Sequence, residues 1–116
     1  MARLSTHVLD TSRGKPAKGV VVKLYSMQGD RHLIASSKTN ADGRTDAPLM
    51  DADTFVAGCY ELEFAVGEYF RSTGAESGSD PGFLDDVVIR VTLEDDQNYH
   101  VPLLVSPWSY TTYRGS

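Results

Sequence analysis

The chain has 116 residues, of which 41% are hydrophobic and 23% charged, with a single cysteine and a formal charge of minus five. That is enough for one globular domain spanning residues 1–116 with a core of its own, and it argues against an intrinsically disordered chain. A net negative chain without a lysine or arginine run excludes the usual electrostatics of nucleic-acid binding, and the lone Cys59 excludes an intramolecular disulfide or a cysteine zinc cluster.

From the N-terminus, Ser5 to Asp10 has a strand pattern, and Gly14 to Pro16 reads as a break. In the next run Val20, Val22 and Leu24 share one face while Lys23 lies on the other. Gly29 to Arg31 is a turn, His32 to Thr39 a strand, and Asn40 to Gly43 a second turn rich in turn formers. Cys59, among Val56, Ala57, Tyr60 and Leu62, is expected to be a small buried side chain rather than a reactive thiol.

The alternation returns with Tyr60, Leu62, Phe64 and Val66 against Glu61 and Glu63. Between Gly67 and Gly74 it leaves room for one short helix, expected around Glu68 to Thr73 on the outside of the domain. Ser77 to Gly82 is a break, and Val87, Ile89, Val91 and Leu93 then face away from Arg90 and Thr92. Strands follow at Tyr99 to Val105 and Ser109 to Arg114, separated by Ser106 and Pro107. Short half-buried strands at this spacing predict an all-β fold, a β-sandwich.

The chain closes on Tyr113, Arg114, Gly115 and Ser116. A terminus is normally the loosest part of a domain, so aromatic, guanidinium and hydroxyl groups gathered there point to a use beyond packing. Two histidines lie on predicted strands. If Val8 points inward, alternation turns His7 outward. His100 precedes Val101, Pro102, Leu103, Leu104 and Val105, a stretch apolar on both faces and so expected to be covered on both, by the core and by another subunit.

A neutral imidazole can take a proton from water near neutral pH while a second one donates. Arg44, in the turn after Asn40, carries a permanent charge suited to an anion or a developing oxyanion. Each has a plainer explanation, since a lone histidine is ordinarily a polar rim residue and a turn arginine is ordinarily solvated. His32, beside Asp30 and Arg31, has only that plain reading. Neither a metal nor a nucleotide cofactor is indicated: the histidine spacing lacks an H-x-x-x-H pair, and there is no G-x-S-x-G elbow or glycine-rich phosphate cradle.

The combination is more specific than its parts. Leu4, Ser5, Thr6, His7, Val8, Leu9, Asp10 and Thr11, with Gly14, Pro16 and Ala17, resemble the opening of the transthyretin-related 5-hydroxyisourate hydrolases. Thr39, Asn40, Ala41, Asp42, Gly43 and Arg44 resemble their internal arginine motif. Tyr99 to Pro107, followed by Tyr110, Thr112 and Tyr113 to Ser116, resembles their C-terminal signature. The acidic, glycine-rich segment from Ala75 to Gly82 carries no family signal.

The resemblance implies a transthyretin-like sandwich of two four-stranded sheets with one short helix, assembled as a homotetramer, a dimer of dimers, with sites in a channel where dimers meet. By transfer to matching positions, His7, Arg44, His100 and Ser116 are expected to be catalytic, with Tyr113, Arg114 and Gly115 shaping the substrate pocket. The implied reaction is hydrolysis of 5-hydroxyisourate by activated water, without cofactor. A transthyretin-type binding protein that holds a ligand without reacting is the alternative, and the terminal Tyr113 to Ser116 signature is what separates the two. The chain opens directly into a strand pattern and has no run of roughly 20 apolar residues, so a soluble cytoplasmic protein is expected.

Overall fold

The computed structural model describes residues 2–73 and 83–115; the break expected at residues 77–82 and the terminal Ser116 lie outside the described residues. The elements run β1 (Arg3–Asp10), β2 (Lys15–Pro16), β3 (Val21–Ser26), β4 (His32–Lys38), β5 (Gly58–Phe64), α1 (Val66–Thr73), β6 (Val87–Leu93), β7 (Asn98–Val105) and β8 (Tyr110–Thr112). They form two four-stranded sheets, ordered β2-β1-β7-β8 and β4-β3-β5-β6. The expected sandwich with one short helix is the observed fold.

The period of two builds the core. Leu4 and Val8 of β1, Val22 and Leu24 of β3, Leu62 and Phe64 of β5, and Leu103 and Val105 of β7 are all fully buried. Each contributes about 1.5–3 kcal/mol relative to an exposed side chain. The outward face of the second sheet is occupied by charge. Glu61, 8% exposed, accepts from Arg31 Nε at 2.9 Å and from Arg90 Nη2 at 2.8 Å, and Arg31 also reaches Glu63 at 3.0 Å while lying over the Tyr25 ring. The hydrogen bonds from Arg31 and then Arg90 hold the Glu61 carboxyl below its ordinary pKa.

Three details differ from the sequence reading. Lys15 and Pro16, expected as a break, pair with Asp10 and Leu9 as a short edge strand, a position where proline is tolerated. The helix starts at Val66 and buries Val66, Gly67, Tyr69 and Phe70, so it packs on the sandwich with one face instead of lying outside it. Cys59 is half-buried, because alternation puts it on the face of Glu61 and Glu63, opposite Tyr60 and Leu62.

The helix is tied to β1 through Asp10, which is 1% exposed. Its Oδ1 accepts from the Ser12 hydroxyl at 2.6 Å and from the Ser12 backbone N–H at 3.0 Å, while Oδ2 accepts from the Tyr69 hydroxyl at 2.8 Å. Burial, and then this bond to Asp10, raises the Tyr69 pKa, so the phenol remains a donor. Tyr69→Phe leaves Oδ2 without its partner in a buried position. It is expected to destabilise the fold by about 1–3 kcal/mol, read as a lower urea midpoint with an unchanged m-value.

Candidate active site

Strands β1 and β7 come from opposite ends of the chain and pair in parallel, in register from Arg3 with Asn98 to Asp10 with Val105. A parallel pair cannot be closed by a hairpin, and here the whole second sheet lies between them in sequence. Because Leu4, Thr6, Val8 and Asp10 are buried, Arg3, Ser5, His7 and Leu9 face outward. On β7 the matching outward positions are Asn98, His100, Pro102 and Leu104. The two imidazoles therefore lie diagonally on one face, with ring centroids 6.4 Å apart and ring planes inclined by 39°.

His7 is held from the side by the turn at residues 40–44. Asn40 Oδ1 accepts from the Asp42 N–H at 2.9 Å and the Arg44 N–H at 3.2 Å, an Asx arrangement that curls the turn, and Asn40 N donates to Arg44 O at 2.7 Å. The turn docks on β1 through Val8 N to Gly43 O at 2.7 Å, and Arg44 bridges to His7. His7 Nε2 lies 2.8 Å from the Asp42 carbonyl oxygen. A carbonyl can only accept, so Nε2 carries the proton and, in the neutral ring, Nδ1 carries the lone pair.

His100 is held from the other side by the chain end. Gly115 pairs with it, donating its N–H to His100 O at 2.6 Å and accepting from His100 N at 3.4 Å. A methyl group at Gly115 would stand 3.0 Å from His100 Cδ2 and 3.1 Å from its Cβ. Arg114 is turned elsewhere: its Nη2 donates to Gln97 Oε1 at 2.8 Å, and its guanidinium lies 4.5 Å from the Tyr99 ring centroid. These contacts anchor the segment that carries Gly115. The Tyr113 side chain is 59% exposed.

Partial burial, followed by the charges of Arg44, His7 and Arg3, holds the His100 pKa below the ordinary imidazole value. This favours the neutral form of His100. A cavity of about 460 Å³ opens where Arg3 meets Asn98, at one end of the same strand pair, with Asp51 and Asp53 on its wall. Among the described residues no cluster of three or more histidine, cysteine or carboxylate side chains could hold a metal ion, and no helix is long and apolar enough to cross a membrane.

The structure thus gathers His7, Arg44, His100 and Gly115 on one face, puts Arg114 on Gln97 and Tyr99, and leaves Tyr113 exposed. His32 is apart from them, with Nδ1 3.0 Å from Asp30 O. Ser5 and Arg3 share the histidine face and were not singled out by sequence. Their positions two and four residues before His7 carry the signal, since alternation makes them neighbours on one face.

A family model described as the HIUase/Transthyretin family matches residues 4–115. The 5-hydroxyisourate hydrolase 2 of Rhizobium meliloti is 54% identical over 98% of this chain and 96% of its own length. Among solved structures, a Klebsiella pneumoniae 5-hydroxyisourate hydrolase superposes with a TM-score of 0.82 at 36% identity, covering both chains fully. An (S)-allantoin synthase superposes with a TM-score of 0.90 at 42% identity over 99% of this chain and 44% of that longer one. Transthyretin from Sparus aurata gives 0.85 at 28% identity, over 97% of this chain and 96% of that one.

Gly43 is where the turn approaches β1 most closely. Its φ is +78°, and a Cβ there would lie 2.3 Å from the Val8 carbonyl oxygen. The left-handed conformation alone costs an ordinary residue about 1–2 kcal/mol, and the backbone clash adds to it. Gly43→Ala is expected to lower stability by more than about 2 kcal/mol and to move the His7 ring resonances in an NMR spectrum.

Proposed function

Because the chain belongs to the HIUase/Transthyretin family, we propose that it is a 5-hydroxyisourate hydrolase. The product is 2-oxo-4-hydroxy-4-carboxy-5-ureidoimidazoline, and the step belongs to the degradation of urate to allantoin. The observation that carries this reading is the pairing of His7 and His100 at 6.4 Å on one outward face, with Arg44 bridged to the first and the chain end to the second.

In the mechanism the histidine pair holds and activates a water, which attacks an amide-like ring carbonyl. The new C–O bond forms, the ring C–N bond breaks, and the freed nitrogen takes the proton the water gave up. Arg44 holds the anionic substrate and the oxyanion as it develops. Arg114 shapes the pocket by anchoring the chain end on Tyr99 and Gln97, and Gly115 lets that end lie against His100. Tyr113 borders the pocket, and Ser116 orients water or substrate through its hydroxyl.

The reading takes the working unit as a cytoplasmic homotetramer in which the histidine face of one pair of subunits meets that of another. Half-buried Leu104 and exposed Tyr113 support that contact. A mass measured by light scattering that corresponds to the single chain removes the between-subunit site.

Freshly generated 5-hydroxyisourate followed in the ultraviolet is expected to decay faster with the protein than without it, and an unchanged time course overturns the proposal. His100→Asn is expected to lower kcat by about 100-fold or more with the melting curve unchanged. Gly115→Ala, which crowds the His100 ring, is expected to cost about 10–100-fold in kcat. The lowered His100 pKa favours its neutral form at neutral pH, where turnover is expected to be high. Turnover falls as His100 takes up a proton, below the ordinary imidazole value of about 6.5. A profile that stays flat from about pH 5 to about 8 argues against water activation by these rings.

A further inference from the structure

Ser5 stands directly across the β1–β7 pairing from His100, half-buried, with its Oγ 2.9 Å from His100 Nδ1. A neutral imidazole has one donor and one acceptor nitrogen, so the polarity of the bond at Nδ1 decides what Nε2 offers. Two polarities are available. If the hydroxyl donates, Nε2 carries the proton; if Nδ1 donates, Nε2 carries the lone pair.

The first is favoured on two grounds. An imidazole nitrogen is a stronger acceptor than a hydroxyl oxygen, so O–H to N is the stronger bond. Among the described residues, moreover, Nδ1 is the hydrogen-bond partner of Ser5 Oγ, so the reverse polarity leaves the serine proton to solvent alone. His7 is fixed the other way, since the Asp42 carbonyl takes its Nε2 proton and leaves Nδ1 as the acceptor. We propose that Ser5 is a positioning residue that acts through His100: its hydroxyl donates to Nδ1, fixes the ring as the Nε2–H tautomer and so makes His100 the hydrogen-bond donor of the pair.

In the hydrolysis, on which the kinetic part of this inference rests, the two rings then have separate tasks. His7 Nδ1 accepts the proton of the attacking water as the C–O bond forms. His100 Nε2–H hydrogen-bonds to the carbonyl oxygen as it gains negative charge, and keeps its proton throughout. The proton on His7 passes to the ring nitrogen as the C–N bond breaks, and the carboxylic acid product ionises to solvent.

The test combines nitrogen-15 NMR of the histidine rings with steady-state kinetics on the full chain. In the unsubstituted protein His100 is expected to show the Nε2–H pattern. Ser5→Ala is expected to move it towards a mixture of tautomers and to lower kcat about fivefold to tenfold, the worth of one hydrogen bond, with KM nearly unchanged. Ser5→Thr, which keeps the hydroxyl on a strand that favours β-branched residues, is expected to restore both. An Nδ1–H pattern in the unsubstituted protein, or a Ser5→Ala variant with unaltered ring signals and kcat, overturns the assignment. If the unsubstituted chain fails to speed 5-hydroxyisourate decay, the hydrolase reading falls, and the ring signals alone decide the role of Ser5.

Discussion

The parallel contact between β1 and β7 is the constraint from which the arrangement of the candidate site follows. It joins strands whose intervening chain makes up the entire opposite sheet, and its register is set from below, not from the site. Leu4, Val8, Leu103 and Val105 are fully buried under it, each worth about 1.5–3 kcal/mol. The bond between Ser5 and His100 is worth about 1 kcal/mol by comparison. A slip of one residue in either strand would turn its inward side chains outward and drive a histidine into the core. An imidazole buried there without a partner is costly, so the core decides the register and the histidines follow.

The two outward faces of the sandwich have different chemistry. On the second sheet, Arg31, Glu61, Glu63 and Arg90 meet one another at 2.8–3.0 Å, so their charges are largely spent on neighbours in the same chain. On the first sheet the outward row is Ser5, His7, His100, Pro102 and Leu104, a mixture of hydrogen-bonding rings and apolar surface. The charges of Arg44 and Arg3 act there on His100. A polar reaction centre bordered by apolar side chains is suited to being closed by a second surface, because excluding water strengthens each remaining electrostatic contact.

Much of the fold was legible because burial has a period of two. The inward rows of β3, β5 and β6 stand where alternation put them. What alternation could not reveal is which strand lies beside which. The neighbourhood of Ser5 and His100, 95 positions apart, depends on the parallel register. Lys15 and Pro16 were hidden for a related reason: two residues are too few to show a period, and only the pairing with Leu9 and Asp10 makes them a strand. The helix boundary moved to Val66 because the same apolar residue satisfies a strand pattern and the first turn of a buried helix face. Of the candidate site, residue types and sides were readable, whereas the carbonyl that orients His7 belongs to the backbone of Asp42 and leaves no mark in side-chain chemistry.

Each histidine strand is gripped by an irregular segment, residues 40–44 at His7 and the chain end at His100, and in each the close approach falls at a glycine. Backbone hydrogen bonds of 2.6–2.7 Å fasten both grips. The Asp42 carbonyl on one ring and the Ser5 hydroxyl on the other each add a hydrogen bond that favours one ring orientation. The entropy of ordering the rings is therefore met on folding, which is the condition the proposed acid–base pair needs. The Arg114 stack on Tyr99 and the pairing of Gly115 with His100 join the second segment to the sheet.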